Sequence, residues 1–273
     1  MSASTHLLRE HAPIPARAWK EIDDEARERL TPLLAARRIA DWVGTGGWQQ
    51  SAVPLGRTTA LDGPPSGVSG DGMRVRQRRV LPLAEVRVPF TVSRQEIDDV
   101  QRGAADAELD DLDRAARTIA EIENRAVFNG WAAAGITGIG EASPHPSAEL
   151  GTDCDAYPGI VAAAVDRLRC AGIDGPYALA IGPAGYTRIV QTTEHGGHLL
   201  LDHLRQIVGG AILWAPGVEG AIVASQRGGD FALHVGQDIA VGYSHHDAET
   251  VHLYLEESLA FRVLEPDAAT ALT

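Results

Sequence analysis

The sequence predicts an α+β fold with mixed sheets, not a βαβ repeat. Three observations predict it. A single long stretch with helical apolar spacing runs from Asp110 to Ala134. Ahead of it lie two strand-like runs that flank a tip made of turn residues, which reads as a long projecting hairpin. Behind it come a mixed helix and strand segment and then strands alone, an order that lacks the regular alternation of a parallel sheet.

In the long stretch, Leu112, Ala115, Ile119, Ile122 and Ala126 recur at steps of three and four. Ala116, Ala120, Val127 and Trp131 form a second apolar stripe, and Arg114, Arg117, Glu121 and Arg125 take the polar side. Arg117 with Glu121, and Glu121 with Arg125, have i,i+4 spacing. Asp110 or Asp111 can cap the start, and Gly135 stands where a left-handed residue ends a helix. Such a helix is about 35 Å long. Being apolar on two sides, it needs protein against both.

The other segments follow in order. Residues 1–16 read as an arm, because His11, Pro13 and Pro15 punctuate a polar stretch. Ala16 to Asp41 reads as a helix interrupted at Pro32, with Trp19, Ile22, Ala26, Leu30, Leu33 and Leu34 on its apolar side. Trp42 to Trp48 is a Gly-rich turn without the lysine or spacing of a phosphate loop. Gln49 to Phe90 is the hairpin, and Arg74, Arg76, Arg78 and Arg79 crowd its second strand. In an acidic protein these arginines suit the carboxylates of a neighbouring subunit. Thr91 to Gly103 is a short helix with Ser93 as cap, Glu96 completing a capping box and Gly103 ending it. Gly135 to Tyr157 is loop-rich, and Ile160 to Ala171 is a helix with Val161, Ala164, Val165 and Leu168 inward. A buried strand, Tyr177 to Gly182, precedes helices at Ala184–Thr193 and after a Gly-hinged loop. The chain closes in strands, the last with Val251, Leu253 and Leu255 on one side and His252, Tyr254 and Glu256 on the other.

Composition narrows the function. The chain has 273 residues, 44% of them apolar, enough for a real core in one large or two modest domains. A net charge of −13 argues against nucleic acid or an anionic membrane as partner. Cys154 and Cys170 have neither metal-ligand spacing nor the count of a disulfide framework. No long apolar run opens the chain, so no signal peptide is expected, and no stretch is apolar enough to span a membrane.

No constellation reads as an active site. His195, His198 and His203 have metal-like spacing, but Gly196 and Gly197 interrupt the helix that would align them. His245, His246 and Asp247 read as a polar turn between strands. The run Gly135 to Gly140 follows a helix, which is the wrong context for a dinucleotide fingerprint. Asp98–Asp99 and Glu256–Glu257 are adjacent in sequence and point apart. No metal or cofactor is expected, and no catalysis. The competing reading is a metal-dependent hydrolase built on the histidine-rich loops.

Four ordered motifs resemble the encapsulins, bacterial nanocompartment shell proteins once called linocin-type bacteriocins. They are RVPFTVSRQEIDDVQRG at Arg87–Gly103, AGIDGPY at Ala171–Tyr177, RGGDFALHVGQDIAVGY at Arg227–Tyr243 and LYLEESLAFRV at Leu253–Val263. The resemblance implies the fold of tailed-phage major capsid proteins, with a peripheral domain, a spine helix, an extended loop and an axial domain. On that basis residues 1–48 are the arm and first helix of the peripheral domain, and 49–90 the extended loop. Residues 91–134 hold the spine helix, 135–225 the axial domain and 226–273 the closing peripheral strands. It further implies a hollow icosahedral shell in the cytoplasm, built from many copies. Its cargo enzymes, dye-decolourising peroxidases or ferritin-like iron oxidases, dock by a C-terminal peptide, which ties such shells to oxidative stress and iron storage. By the same resemblance the dock draws on Leu30, Leu34, Arg37, Arg38, Ile39 and Asp41 from the first helix. The strand side offers Asp238, Ile239, Val241 and Tyr243. A pore loop falls at Thr193, Glu194, His195, Gly196, Gly197 and His198. Some members are linked to a flavin held by aromatic residues early in the Thr91–Gly103 helix. Ser93, Arg94 and Gln95 stand there in this chain, so no flavin is carried over. A true phage capsid protein is the third reading.

Overall fold

The structure is a computed structural model that describes residues 5–194 and 197–273. The chain begins with 3-10 turns at Thr5–Leu7 and Arg9–His11, then α1 at Ala16–Leu30, stopped just before Pro32, and a 3-10 turn at Ala36–Arg38. The Trp42–Trp48 segment, expected as a turn, instead opens with a strand, β1 at Asp41–Thr45. Its partner is β8 (Phe231–Val235), a pairing that residues so far apart in sequence do not announce.

The main sheet is built on β10 at Thr250–Val263. The strand β4, Ala84–Ser93, lies along one side of it. On the other side, β9 (Ala240–His246) pairs with its first half and β8 with its second. The period-two alternation read from the sequence disappears in the middle, where every residue from Leu253 to Phe261 is buried. Helices cover one face, and the N-terminal arm reaches the other. Leu7 of the arm is buried and His6 lies 3.3 Å from Glu256, so the arm lies on its own subunit's sheet.

Ser93 caps α2 (Arg94–Arg102) as expected, accepting from the Gln95 and Glu96 amides, and Gly103 ends it in the left-handed region. The long helix, α3, spans Asp110–Phe128 and stops short of Ala134. The chain then doubles back, and Gly130 and Gly138 meet backbone to backbone. A Cβ on Gly138 would stand 2.2 Å from the Gly130 nitrogen. Neither aspartate caps α3; Leu109 holds that position, and Asp111 instead accepts from the amide and hydroxyl of Thr91. The i,i+4 pairs on α3 do not form, and Arg125 reaches Glu219 instead.

Beyond α3, a 3-10 turn (Ala132–Ala134) and the short α4 (Ile139–Ala142) lead into a second unit. Its sheet joins β5 (Tyr177–Ile181), β6 (Ile212–Trp214) and β7 (Ala221–Ser225) to β11 (Ala269–Leu272), in the order β11-β7-β5-β6. Around it lie α5 (Tyr157–Cys170), α6 (Pro183–Gln191) and α7 (Leu200–Val208). The closing residues therefore return to the second unit instead of staying with the peripheral strands. The hairpin is β2 (Ala52–Ala60) with β3 (Arg76–Pro82), and by Ala84 the chain has already entered the main sheet, earlier than the expected boundary at 90. Most of the hairpin is exposed, including Arg74, Arg76, Arg78 and Arg79.

Asn124, fully buried on α3, fastens these parts together. Its Oδ1 accepts from the Ala36 amide at 2.9 Å, and its Nδ2 donates to the carbonyls of Leu33 at 2.8 Å and Pro216 at 3.1 Å. The loop carrying Pro216 lies tight on α3: a Cβ on Gly217 would come within 2.7 Å of the Glu121 carbonyl oxygen. Asn124→Leu keeps the volume but strands the Ala36 amide and the Pro216 carbonyl in the interior, while the Leu33 carbonyl keeps the Ala35 amide. It is expected to destabilise by about 2 kcal/mol or more, at roughly 1–3 kcal/mol per unsatisfied group, and a denaturant midpoint measured beside wild type checks it.

Candidate functional site

A groove of about 440 Å³ runs between the C-terminal half of α1 and the start of β9. Ala26, Leu30 and Leu34 form the helix wall, Ile239, Ala240 and Val241 the strand wall, and Leu255 of β10 lies at the bottom. The helix wall follows from the apolar spacing of α1, whose Ile22, Ala26 and Leu30 all face inward. Charge sits at the rim and floor, from Arg9, Asp23, Arg27, Arg37 and Asp238. Arg9 and Asp23 pair with each other through both guanidinium nitrogens, at 2.7 and 3.0 Å. The combination of apolar walls and a few fixed charges suits an extended peptide.

Six of the ten residues expected at a dock line this groove: Leu30, Leu34, Arg37, Asp238, Ile239 and Val241. The other four lie elsewhere. Ile39 is buried in the core. Arg38 is exposed, and its carbonyl accepts from the Gln226 side chain. Asp41 is exposed and accepts from the Gly229 amide at 2.5 Å, which ties β1 to the turn before β8. Tyr243 is buried, with its hydroxyl 2.6 Å from His246 Nδ1.

Under the groove lies a cluster that the sequence reading did not assemble. Arg37 donates through Nε and Nη2 to Glu123 of α3, at 2.6–3.1 Å. The same Nη2 donates to Glu257 of β10 at 2.7 Å, and Nη1 to Asp238 at 2.9 Å. Burial opposes the charge on Arg37, but the carboxylates outweigh it and raise its pKa. For Glu257, burial is the largest influence and pushes its pKa well up, and the neighbouring Glu123 pushes the same way. The Trp42 ring lies over the guanidinium, 4.7 Å away. Two signals for the cluster stand in the sequence. Glu123 falls on the apolar face of α3, three residues after Ala120 and four after Ile119. Glu257 sits in the middle of an apolar strand. Glu256 and Glu257 do point apart; Glu256, equally buried, meets Arg87 at 2.5 Å on the opposite face.

The expected pore loop joins α6 to α7, and His195 and Gly196 lie outside the described residues. Thr193 bridges to Leu199, and the Glu194 amide donates to the His198 carbonyl at 2.8 Å. Gly197 donates to the Glu194 carbonyl. Both Glu194 oxygens stand 2.9 Å from His203 Nδ1, so that imidazole is engaged by a carboxylate. Among the described residues no group of three His, Cys, Asp or Glu is arranged to hold a metal. Asp247 closes the β9–β10 turn by accepting from the amides of Glu249 and Thr250. Among the described residues no helix is long and apolar enough to cross a membrane.

Removing Arg37 leaves Glu123 and Glu257 buried without a cation. Arg37→Ala is expected to cost about 3–5 kcal/mol, the usual loss when one partner of a buried pair is deleted. Arg37→Lys should recover only part of it, since an ammonium cannot span three carboxylates in fixed directions. Denaturant midpoints of the two variants and wild type check both statements.

Comparison with known proteins agrees with this architecture. The family described as "Encapsulating protein for peroxidase" matches residues 4–260. The type 1 encapsulin shell protein of Rhodospirillum rubrum is 51% identical over 267 residues, covering 97% of this chain and 95% of that protein. The corresponding shell protein of Rhodococcus erythropolis is 42% identical, covering 98% of this chain and 99% of its own. Among solved structures, the virus-like particle of Pyrococcus furiosus has a TM-score of 0.65 at 15% identity, over 93% of this chain and 99% of that one. The capsid of an empty GTA particle has a TM-score of 0.51 at 15% identity, over 88% of this chain and 89% of its own. These relatives are shell proteins, so the reading as a histidine-dependent hydrolase draws no support from them. The matched family, the shell-protein relatives and the capsid fold agree: this chain belongs to the encapsulin shell proteins.

Proposed function

We propose that many copies of this chain close into a hollow icosahedral shell in the cytoplasm, and that the α1–β9 groove takes the C-terminal peptide of an enclosed enzyme. The observation that carries the shell is the β2–β3 hairpin. A lone two-stranded ribbon is marginal in water, and this one has almost no protein of its own subunit against it. Laid on a neighbour it gains that protein, and the repeated contact closes by symmetry. Arg74, Arg78 and Arg79 are exposed, and the chain as a whole is acidic. They suit carboxylates on the adjacent subunit. The cargo class is a peroxidase, following the family's description, or a ferritin-like protein. Nucleic acid and membranes are not partners, consistent with the net charge of −13. The loop that carries Thr193, Glu194 and His198 is assigned to the rim of a small opening in the shell.

Negative-stain microscopy of the purified protein is expected to show round, hollow particles of uniform size. A monodisperse monomer of the full chain would overturn the shell. Deleting the hairpin tip, Asp62 to Asp71, should leave folded subunits that assemble poorly, as read by circular dichroism and particle counts.

For the groove, Ile239→Glu places a charge on a half-buried wall. It should abolish co-purification of cargo while empty shells still form. Ile39 is unsuited to that test, because it belongs to the core. Cargo retained at wild-type stoichiometry in the Ile239→Glu variant would place the dock elsewhere.

A further inference from the structure

The cluster under the groove has an unbalanced charge. One guanidinium faces three carboxylates, those of Glu123, Glu257 and Asp238. The side chains of Glu123 and Glu257 are 0% and 1% exposed, so water does not share the load. Both accept from the same Arg37 nitrogen, which sets the two carboxylates side by side. Oε2 of Glu257 is buried with no hydrogen-bond donor in reach. A bare, buried carboxylate oxygen beside a second carboxylate is costly, and a single proton removes the cost. Protonated, Glu257 becomes a donor, and Glu123 is the acceptor next to it.

Asp238 is different. Its side chain is 46% exposed, and a single bond from Nη1 holds it to Arg37. Its Oδ1 also accepts from the Ile239 amide at 2.8 Å, and residues 238–241 make the strand wall of the groove. Among the described residues no other charged side chain pairs with Arg37. The Trp42 ring and the Asn124 amide are neutral neighbours, and Asp23, Arg9 and Arg27 stand at the rim.

We propose that Glu123 and Glu257 share one proton beneath the groove, and that its loss as pH rises frees Asp238 from Arg37 and loosens the wall at 238–241. With the proton present, the single positive charge of Arg37 serves Glu123 and Asp238. Without it, the two buried glutamates claim the guanidinium, and Asp238 is the member that water can take. The sign follows from linkage. Burial and Glu123 raise the Glu257 pKa, so the folded state binds the proton more tightly than the unfolded chain does. Stability conferred by that proton falls as pH rises from the ordinary glutamate value towards the folded one. The inference concerns the wall itself and stands whatever occupies the groove.

Infrared spectra of assembled wild-type shells are expected to show the carbonyl band of a protonated carboxyl at neutral pH. The band should fade on raising the pH. Over the same range, amide hydrogen exchange across 238–241 should accelerate relative to that of β5 in the same molecule. Glu257→Gln should remove the band and the acceleration together; if it does not assemble, Glu123→Gln serves for the band. Asp238→Asn takes one negative charge away and should move the midpoint to lower pH. Absence of the band in wild type at neutral pH would overturn the proposal. So would a band that survives both glutamine variants, or a band that titrates with no change in exchange at 238–241. Both wild-type measurements stand without any variant.

Discussion

Arg37 is the point where the turn after α1, the long helix α3, the central strand β10 and the loop before β9 are tied together. Each partner carboxylate comes from a different element, so the guanidinium fixes four pieces of chain at once. Such a cluster is not a large source of stability, because removing the charges from water offsets most of their attraction. What it imposes is geometry. Once Glu123 and Glu257 are buried, only a planar cation at this position tolerates them, and the end of α1 has one place to sit. Asn124, the next residue on α3, fixes the backbone of the same turn through Ala36 and Leu33. The two adjacent side chains make α3 the reference to which both the turn and, through Pro216, the second unit are aligned.

The groove is a by-product of that alignment. Its apolar walls are the outer margin of the core, and its floor is the guanidinium cluster. Arg37 therefore has little charge left to offer a ligand, having spent its donors on three carboxylates of its own chain. In the dock proposed above, recognition of a peptide would rest on the apolar walls and on the rim charges of Asp23, Arg9, Arg27 and Asp238. The rim is itself built partly from the arm, since Arg9 pairs with Asp23 and lies over Trp19. An arm that packs on its own sheet thus shapes the mouth of the groove.

The hairpin is the part that the subunit leaves unfinished. Inside the subunit, β10 has strands along both sides and protein over both faces, and β5 is buried throughout. The β2–β3 ribbon has neither, and carries exposed arginines on an acidic chain. A shell-forming fold needs such a surplus, because contacts that satisfied themselves within one copy could not hold copies together.

Local pattern alone determined much of this protein. Apolar spacing at three and four residues located α1, α3 and α5, and the Ser93 cap and Gly103 stop bounded α2, because those signals are carried by neighbours in the chain. Two strand-like runs around a tip of turn residues marked the hairpin. What the sequence could not decide is what depends on distant partners. β1 is a strand only because β8 lies beside it, almost two hundred residues on. The end of α3 was decided by a backbone contact between Gly130 and Gly138, not by helix propensity. Of the residues expected at a dock, Leu30 and Ile239 line the groove while Ile39 is buried in the core, a difference set by how the turn after α1 packs and not by the local pattern. The meeting of Glu123, Glu257, Asp238 and Arg37 spans most of the chain, and in the one-dimensional pattern each stands only as a charge among apolar neighbours or near a helix end. Tertiary structure brought them together because a charge denied water must find its counter-charge wherever the fold has placed one.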